Sequence, residues 1–286
     1  MNFVKTTVLL AALTGLLVMI GGLVGGPSGM VLFLVLAGVM NFFAYWFSDK
    51  MALKMAGAHE IQESQDPQLF GIVRDVANLS GMPMPRVYVV ETDTPNAFAT
   101  GRNPNHAVVA VTTGIRRILT ERELRGVLGH EMGHVKNRDI LTSSIVATVA
   151  GAISMIGNML LWSSMFGGFG GGRDGENRNP LLMLLVAMVA PIAASLIQLG
   201  ISRQREYAAD KSGAIVTHDP EALASALEKL ERGVTSRPME PTPNQQAVSA
   251  LYIVNPFRGQ GMSNLFSTHP PLEERIRRLR DMAAGR

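Results

Sequence analysis

The sequence predicts a mainly α-helical membrane protein: four transmembrane helices in two pairs, joined to a polar α+β domain that carries a small sheet. Three observations predict it. The chain of 286 residues is 47% hydrophobic and 17% charged, oilier than an ordinary soluble domain. Its apolar residues are clumped, so that residues 6–48, 140–172 and 179–202 contain no Asp, Glu, Lys or Arg. The polar segments between and after them combine helical periodicity with two short runs of β-branched side chains.

A bilayer core takes about 20 apolar residues per helix, so residues 6–48 hold two spans that break at Gly25-Gly26-Pro27-Ser28-Gly29. The four spans fall at residues 6–24, 30–47, 140–162 and 181–199. Tyr45, Trp46 and Trp162 lie at span ends, where aromatic side chains favour the interface. A cleavable signal peptide competes for the first span, because Lys5 precedes an apolar run. The run is long for that role, and a second span follows at once. Buried core helices compete for the later pair, but such helices rarely stay free of charge over this length. Of the 26 Lys and Arg, only Arg173 and Arg178 fall on the opposite side of the predicted spans from the rest. The positive-inside rule therefore places both termini and the polar segments in the cytoplasm. The net charge of +3 reads as topology and contact with the lipid bilayer. No basic–aromatic patch points to nucleic acid. The organisation that follows is a helix pair over 1–48, a polar part over 49–139, a second pair over 140–202 and a second polar part over 203–286.

Taken in order, residues 51–63 form a helical run leaving the membrane. Residues 67–81 read as another helix, with Leu69, Phe70, Ile72, Val73 and Val76 as its apolar face. Pro83 and Pro85 break that pattern. Residues 86–91 and 106–112 read as strands. Between them, Asn96-Ala97-Phe98-Ala99-Thr100-Gly101 is a short strand or a loop edge. An extended peptide adds readily to a sheet edge, which makes Asn96, Ala97 and Phe98 the candidate substrate-binding residues; a plain hairpin is the equal alternative. Thr120 with Glu123 three residues on is a capping box for a helix over 120–138. The run Gly167-Gly168-Phe169-Gly170-Gly171-Gly172 lacks the Lys-Ser/Thr of a phosphate loop and reads as a linker. Residues 202–211 continue the fourth span without a helix breaker. Asp219-Pro220-Glu221 opens a further helix that Gly233 ends. Residues 235–264 are loop-like, and Pro270-Pro271 starts a last basic helix over 272–282.

The helix over 120–138 carries His130-Glu131-Met132-Gly133-His134. Histidines at i and i+4 stand one above the other on a single helix face. Both imidazoles can therefore reach one metal ion, with Glu131 beside them to take a proton from water. Chance placement gives roughly 0.006 such matches in this chain; the bland alternative is a surface helix with two solvated histidines. The chain has no cysteine, which excludes a disulfide framework and any zinc site built on thiolates.

A third ligand is needed. A metzincin would place glycine three residues and a third histidine six residues after His134, but those positions are Asn137 and Ile140. In a glutamate-type (gluzincin-like) zinc site the third ligand is a carboxylate on a later helix. Arg203-Gln204-Arg205-Glu206-Tyr207-Ala208-Ala209-Asp210 offers Glu206, with Asp210 on the same face. A carboxylate behind a ligating imidazole orients the ring, which suits Asp210. An isolated segment of this kind would be a solvated charged helix, so its height above the membrane decides. His134 lies six residues before Ile140 and Glu206 five after Ile201, about 9 and 7.5 Å above the span ends at 1.5 Å per residue. Because the third and fourth spans form a hairpin, both ligand sets stand at one level. The rival is a non-enzymatic four-span scaffold around a structural zinc. Structural sites usually close four protein ligands, whereas this segment pair offers three and a general base.

These residues carry a family resemblance. The chain resembles the HtpX-type heat-shock membrane metalloproteases, in the wider group with CAAX prenyl endopeptidases and the zinc protease Oma. The likeness covers essentially the whole chain: the paired spans, Pro95-Asn96-Ala97-Phe98-Ala99, the His130 and His134 motif, Glu206 with Asp210, and Ser267-Thr268-His269-Pro270-Pro271-Leu272-Glu273-Glu274-Arg275. It implies a one-zinc endopeptidase of the bacterial inner membrane that cleaves protein substrates, membrane proteins among them, in quality control of misfolded or damaged chains. By that carry-over His130, His134 and Glu206 bind zinc and Glu131 is catalytic. His269, at a helix start, is the first candidate donor to the tetrahedral oxyanion, ahead of Arg275 and Tyr207.

Overall fold

The computed structural model describes residues 2–145, 203–257 and 270–286. The third and fourth predicted spans and His269 lie outside the described residues, apart from a helical stretch over 139–145. Helix α1 (Asn2–Ala56) doubles back on itself. A straight helix would hold Thr14 and Asn41 about 40 Å apart. Instead, Asn41 Nδ2 donates to Thr14 Oγ1 at 2.8 Å and to Leu10 O at 3.4 Å. Gly26 makes the reversal with φ of 58°, a conformation that only glycine adopts without a Cβ penalty. The second limb, Gly26–Ala56, is long and apolar enough to cross a membrane. It leaves Val31, Leu32, Val35 and Phe42 exposed, as a lipid-facing surface would.

Residues 57–63 do not continue that helix. Gly57 turns with φ of 72° into β1 (Ala58–Glu60), a three-residue edge strand. Nothing β-branched marks it; pairing with β2 makes it a strand. Helix α2 (Pro67–Ser80) has the Asp66 side chain accepting from Leu69 N and a left-handed Gly81 at its end. Strands β2 (Arg86–Val90), β3 (Ala97–Gly101) and β4 (Ala107–Thr112) follow. The sheet order is β1-β2-β4-β3, with β2 parallel to β4 and β3 antiparallel to it, Phe98 opposite Ala110. Short α3 (Thr113–Ile118) leads into α4 (Glu121–Lys136), which carries the histidines.

After the undescribed segment come α5 (Arg203–Thr217), α6 (Pro220–Ser236), α7 (Pro243–Val248) and α8 (Leu272–Ala283). Gly233 does not end α6. It lies within the helix, where a Cβ would stand 2.5 Å from Pro95 Cγ, so the glycine marks close packing rather than a stop. Helix α7 likewise occupies part of the stretch expected to be loop.

Strand β4 is buried along its whole length, as a continuous apolar run requires. One face of the sheet, through Val87, Val109 and Val111, joins Leu69, Val73, Leu124, Leu128, Leu223 and Leu227 in the main core. The other, through Phe98, Val108 and Ala110, packs on Ala52 and Leu53 of α1 and on Val248 and Tyr252. The polar end of α1 is thus built into the domain, and β3 is left as the edge strand nearest α4.

Candidate active site

Helix α4 is fixed at its start by a complete capping box: Thr120 Oγ1 accepts from Glu123 N, and Glu123 Oε2 accepts from Thr120 N at 2.9 Å. Glu123 also accepts from Ser225 Oγ and Lys229 Nζ, both at 2.7 Å, and so ties α4 to α6. Three turns on, α5 approaches α4 across glycines. A Cβ on Gly213 would stand 2.6 Å from His130 N, and one on Gly133 would stand 3.2 Å from Ala209 Cα. Larger side chains there would hold the helices apart. This approach brings Glu206 to the two histidines.

His130 Nε2 and His134 Nε2 are 3.2 Å apart. Glu206 Oε1 lies 3.4 Å from His134 Nε2 and Oε2 lies 3.7 Å from His130 Nε2. Three donors at about 2.0–2.1 Å from a tetrahedral zinc stand about 3.3 Å from one another. The nitrogen and oxygen donors therefore fit a small tetrahedral cation, and the three residues form a group that could hold a metal ion. His130 is fully buried, and burial brings its imidazole down to about 4 against the pull of Asp210. It stays neutral at pH 7 and keeps a lone pair for a metal.

Each histidine has a carboxylate behind it. His130 Nδ1 lies 2.8 Å from Asp210 Oδ1 and His134 Nδ1 lies 3.4 Å from Asp139 Oδ2. Asp139 carries no sequence signal beyond its place one turn past His134. It comes under the ring because Arg138 reverses the chain with φ of 58°. Arg205 Nη1 stands 3.7 Å from Asp139 Oδ1. Burial would raise the Asp210 carboxyl, but Arg275 outweighs it and holds it at about 2. Arg275 reaches the ligands from behind, with Nη1 3.8 Å from Glu206 Oε2. It donates Nε and Nη2 to Asp210 and Nη1 to the Ile253 carbonyl, wholly buried. Tyr207, the other expected oxyanion candidate, lies under Arg278, whose Cζ is 3.9 Å from its ring centroid.

Glu131 is buried beside the donors. Burial pushes its carboxyl up to about 7, the range suited to a general base. The Ala99 backbone N–H donates to it, while its Oε1 makes no hydrogen bond among the described residues. Ala99, Glu131, His134, Glu206, Tyr252 and Ile253 enclose a cavity of about 20 Å³, room for about one water or ion.

The expected substrate residues lie on β3, the strand that hands its Ala99 N–H to Glu131. Asn96 is buried and bound to the 252–254 segment, with Nδ2 donating to Val254 O at 2.7 Å and Oδ1 accepting from Val254 N at 3.3 Å. The Ala97 carbonyl accepts from Ile253 N, and Phe98 meets the Tyr252 ring edge-to-face. Residues 96–98 are thus engaged by the chain's own segment, and the edge beyond it begins at Ala99.

Residues 63–283 match peptidase family M48. The chain belongs to this family. Within it, the chain is 53% identical over 284 residues to the Protease HtpX homolog of Paraburkholderia phytofirmans, covering 99% of this chain and 97% of that protein. It has the same identity and coverage with the Protease HtpX homolog of Burkholderia mallei strain SAVP1. This M48 chain is therefore an HtpX-type metalloprotease. Among solved structures it is similar to S. mikatae Ste24p, with a TM-score of 0.50 at 16% identity over 97% of this chain. It spans 65% of the Ste24p chain, and the likeness concerns the fold, mostly helical with a small sheet.

Proposed function

We propose that this M48 chain is a zinc-dependent endopeptidase of the bacterial inner membrane that cleaves misfolded or damaged membrane proteins in quality control. In this reading the chain crosses the bilayer four times, with helix pairs over 1–48 and 140–202, and the polar parts over 49–139 and 203–286 form one cytoplasmic catalytic domain. His130, His134 and Glu206 hold one zinc ion, Asp210 orients His130, and Glu131 is the base. The observation that carries the reading is the convergence of two imidazoles and one carboxylate from α4 and α5 beside a buried, desolvated Glu131.

A zinc ion in that place supplies Lewis-acid activation of water and of the scissile carbonyl. The chain's own residues do the rest. Glu131 takes a proton from the attacking water and passes it to the leaving amine, with the Ala99 N–H fixing the carboxylate. Asp210 and Asp139 hold the imidazole tautomers through Nδ1. The substrate lies extended along β3, whose outer side at Asn96, Ala97 and Phe98 is held by residues 252–254, and takes main-chain bonds from the Ala99 carbonyl onward. His269 supplies a donor to the developing oxyanion. The structural-zinc scaffold is disfavoured by membership of a peptidase family and by the presence of a base that a closed four-ligand site would not need.

Metal analysis of the detergent-purified chain tests this. We expect one zinc per chain, loss of cleavage of an unfolded protein after chelation, and recovery when zinc is restored. A metal-free chain with undiminished, chelator-resistant cleavage would overturn the proposal.

A further inference from the structure

A second cavity, far larger than the cleft at Glu131, opens beside the polar end of α1. Its volume is about 790 Å³, within the range of sites that enclose a small organic ligand. The wall divides by chemistry. Phe42 and Trp46 of α1 form an aromatic part, while Lys50, Arg86 and Arg102 form a basic part.

The three cations are not equivalent. Arg86 is balanced by Asp49 at 3.9 Å and Glu60 at 3.7 Å. Lys50 and Arg102 make no ion pair among the described residues, and each lies over an aromatic ring instead. Lys50 Nζ is 5.7 Å from the Phe47 centroid and Arg102 Cζ is 4.7 Å from the Trp46 centroid. Two cations without carboxylate partners in one cavity wall attract an anion.

Position selects the kind of anion. Phe42 and Lys50 are eight residues apart on one helix, about 12 Å along its axis. The first acid or base after residue 6 is Asp49, so Phe42 belongs to the hydrocarbon layer and Lys50 to the headgroup layer. That layer is about 5–8 Å deep on each side of a bilayer. The wall therefore runs from acyl chain to headgroup, and Trp46 stands at the level where such rings favour the interface. A free phosphate would satisfy the basic part alone and leave the aromatic part uncovered.

We infer that this cavity binds one anionic phospholipid, its phosphate against Lys50 and Arg102 and its upper acyl carbons along Phe42 and Trp46. The inference rests on reading Gly26–Ala56 as a membrane span, and it does not depend on the metal chemistry.

The test uses the full chain with Trp162→Phe, which leaves Trp46 as the one tryptophan of two. It is placed in phosphatidylcholine nanodiscs doped with phosphatidylglycerol or phosphatidylcholine brominated near the top of the acyl chain. Brominated phosphatidylglycerol should quench Trp46 at a mole fraction lower by about fivefold or more, the factor that one basic side chain near an anionic surface contributes. The preference should vanish in Lys50→Gln/Arg102→Gln and persist in Arg102→Lys. Raising salt on the unaltered cavity reads the same charge without a variant, and should also erase the preference. Equal quenching by both lipids, or a preference that survives both charge removal and salt, would overturn the proposal. Erasure by millimolar inorganic phosphate at fixed ionic strength would reassign the site to free phosphate. Absence of quenching by either lipid would remove the membrane placement of α1 as well, while leaving chelator-sensitive proteolysis untouched.

Discussion

Arg275 and Asp210 form a two-pronged ion pair sealed from solvent, Nε to Oδ2 at 2.8 Å and Nη2 to Oδ1 at 2.7 Å. The same Asp210 Oδ1 stands 2.8 Å from His130 Nδ1. A guanidinium on the last helix thus fixes a carboxylate on α5, which fixes an imidazole on α4. The pair is buried, so its worth lies less in net stability than in what remains when one partner is removed.

Arg275→Met should leave Asp210 buried without its cation. We expect a loss of about 3–5 kcal/mol in the stability of the metal-free chain and a fall of about 10–100-fold in zinc affinity. Asp210→Asn should lower zinc affinity similarly and cost comparable stability, because it leaves the buried Arg275 guanidinium without its carboxylate. Chelator competition and thermal unfolding of the metal-free forms separate the two effects. Unchanged zinc affinity in both variants would remove the pair from the site.

Glu123 offers a pH-dependent prediction away from the metal. Burial alone would raise its carboxyl, but hydrogen bonds from Lys229, Thr120 and Ser225 outweigh that and hold it at about 2, below the usual 4.5. A depressed carboxylate contributes stability that is present above its unfolded value and lost as pH falls toward the folded one. Glu123→Gln should therefore be less stable by on the order of 2–3 kcal/mol at pH 7. The gap to wild type should close between pH about 4.5 and 2. Denaturant unfolding across that range checks it, and a gap independent of pH would contradict it.

The α4–α5 contact sets the distance between ligands. A Cβ at Gly213 meets the His130 backbone nitrogen at 2.6 Å, and backbone cannot swing aside as a flexible side chain can. Gly213→Ala should cost about 1–3 kcal/mol by overpacking and weaken zinc binding, because Glu206 shares that helix. Gly71→Ala, with nothing near its Cβ, is the control and should leave zinc affinity unchanged.

The sequence alone makes His130, Glu131 and His134 visible, because a four-residue spacing on a capped helix needs no tertiary knowledge. Glu206 and Asp210 are proposed from their height above the predicted membrane hairpin, an expectation that lies on residues outside those described. What brings them to the histidines, the glycines at 133 and 213, is silent in sequence, since a close approach is a property of two helices together. Asp139 is silent too, because its place under His134 depends on the backbone turn at Arg138. Strand β1 lacks β-branched residues and exists through its partner. Asn96 and Phe98 illustrate a further limit: the edge strand is legible, but not that residues 252–254 bind its first half.

The proposed topology makes a separate prediction. The chain has no cysteine, so single replacements report cleanly. Ser28→Cys and Asn177→Cys should react with an impermeant thiol reagent from outside intact cells, and Ser212→Cys should react only after lysis. Labelling of Ser212→Cys in intact cells would reverse the orientation.

In the proposed mechanism Glu131 moves the proton while His130, His134 and Glu206 hold the metal. The most direct test is the paired zinc content and proteolytic rate of Glu131→Gln beside Glu206→Ala, both purified as the full chain. Glu131→Gln should keep one zinc and lose cleavage by about 100-fold or more, the scale of general-base catalysis. Glu206→Ala should lose both metal and cleavage. Wild-type cleavage by Glu131→Gln, or full zinc retention by Glu206→Ala, would contradict that mechanism.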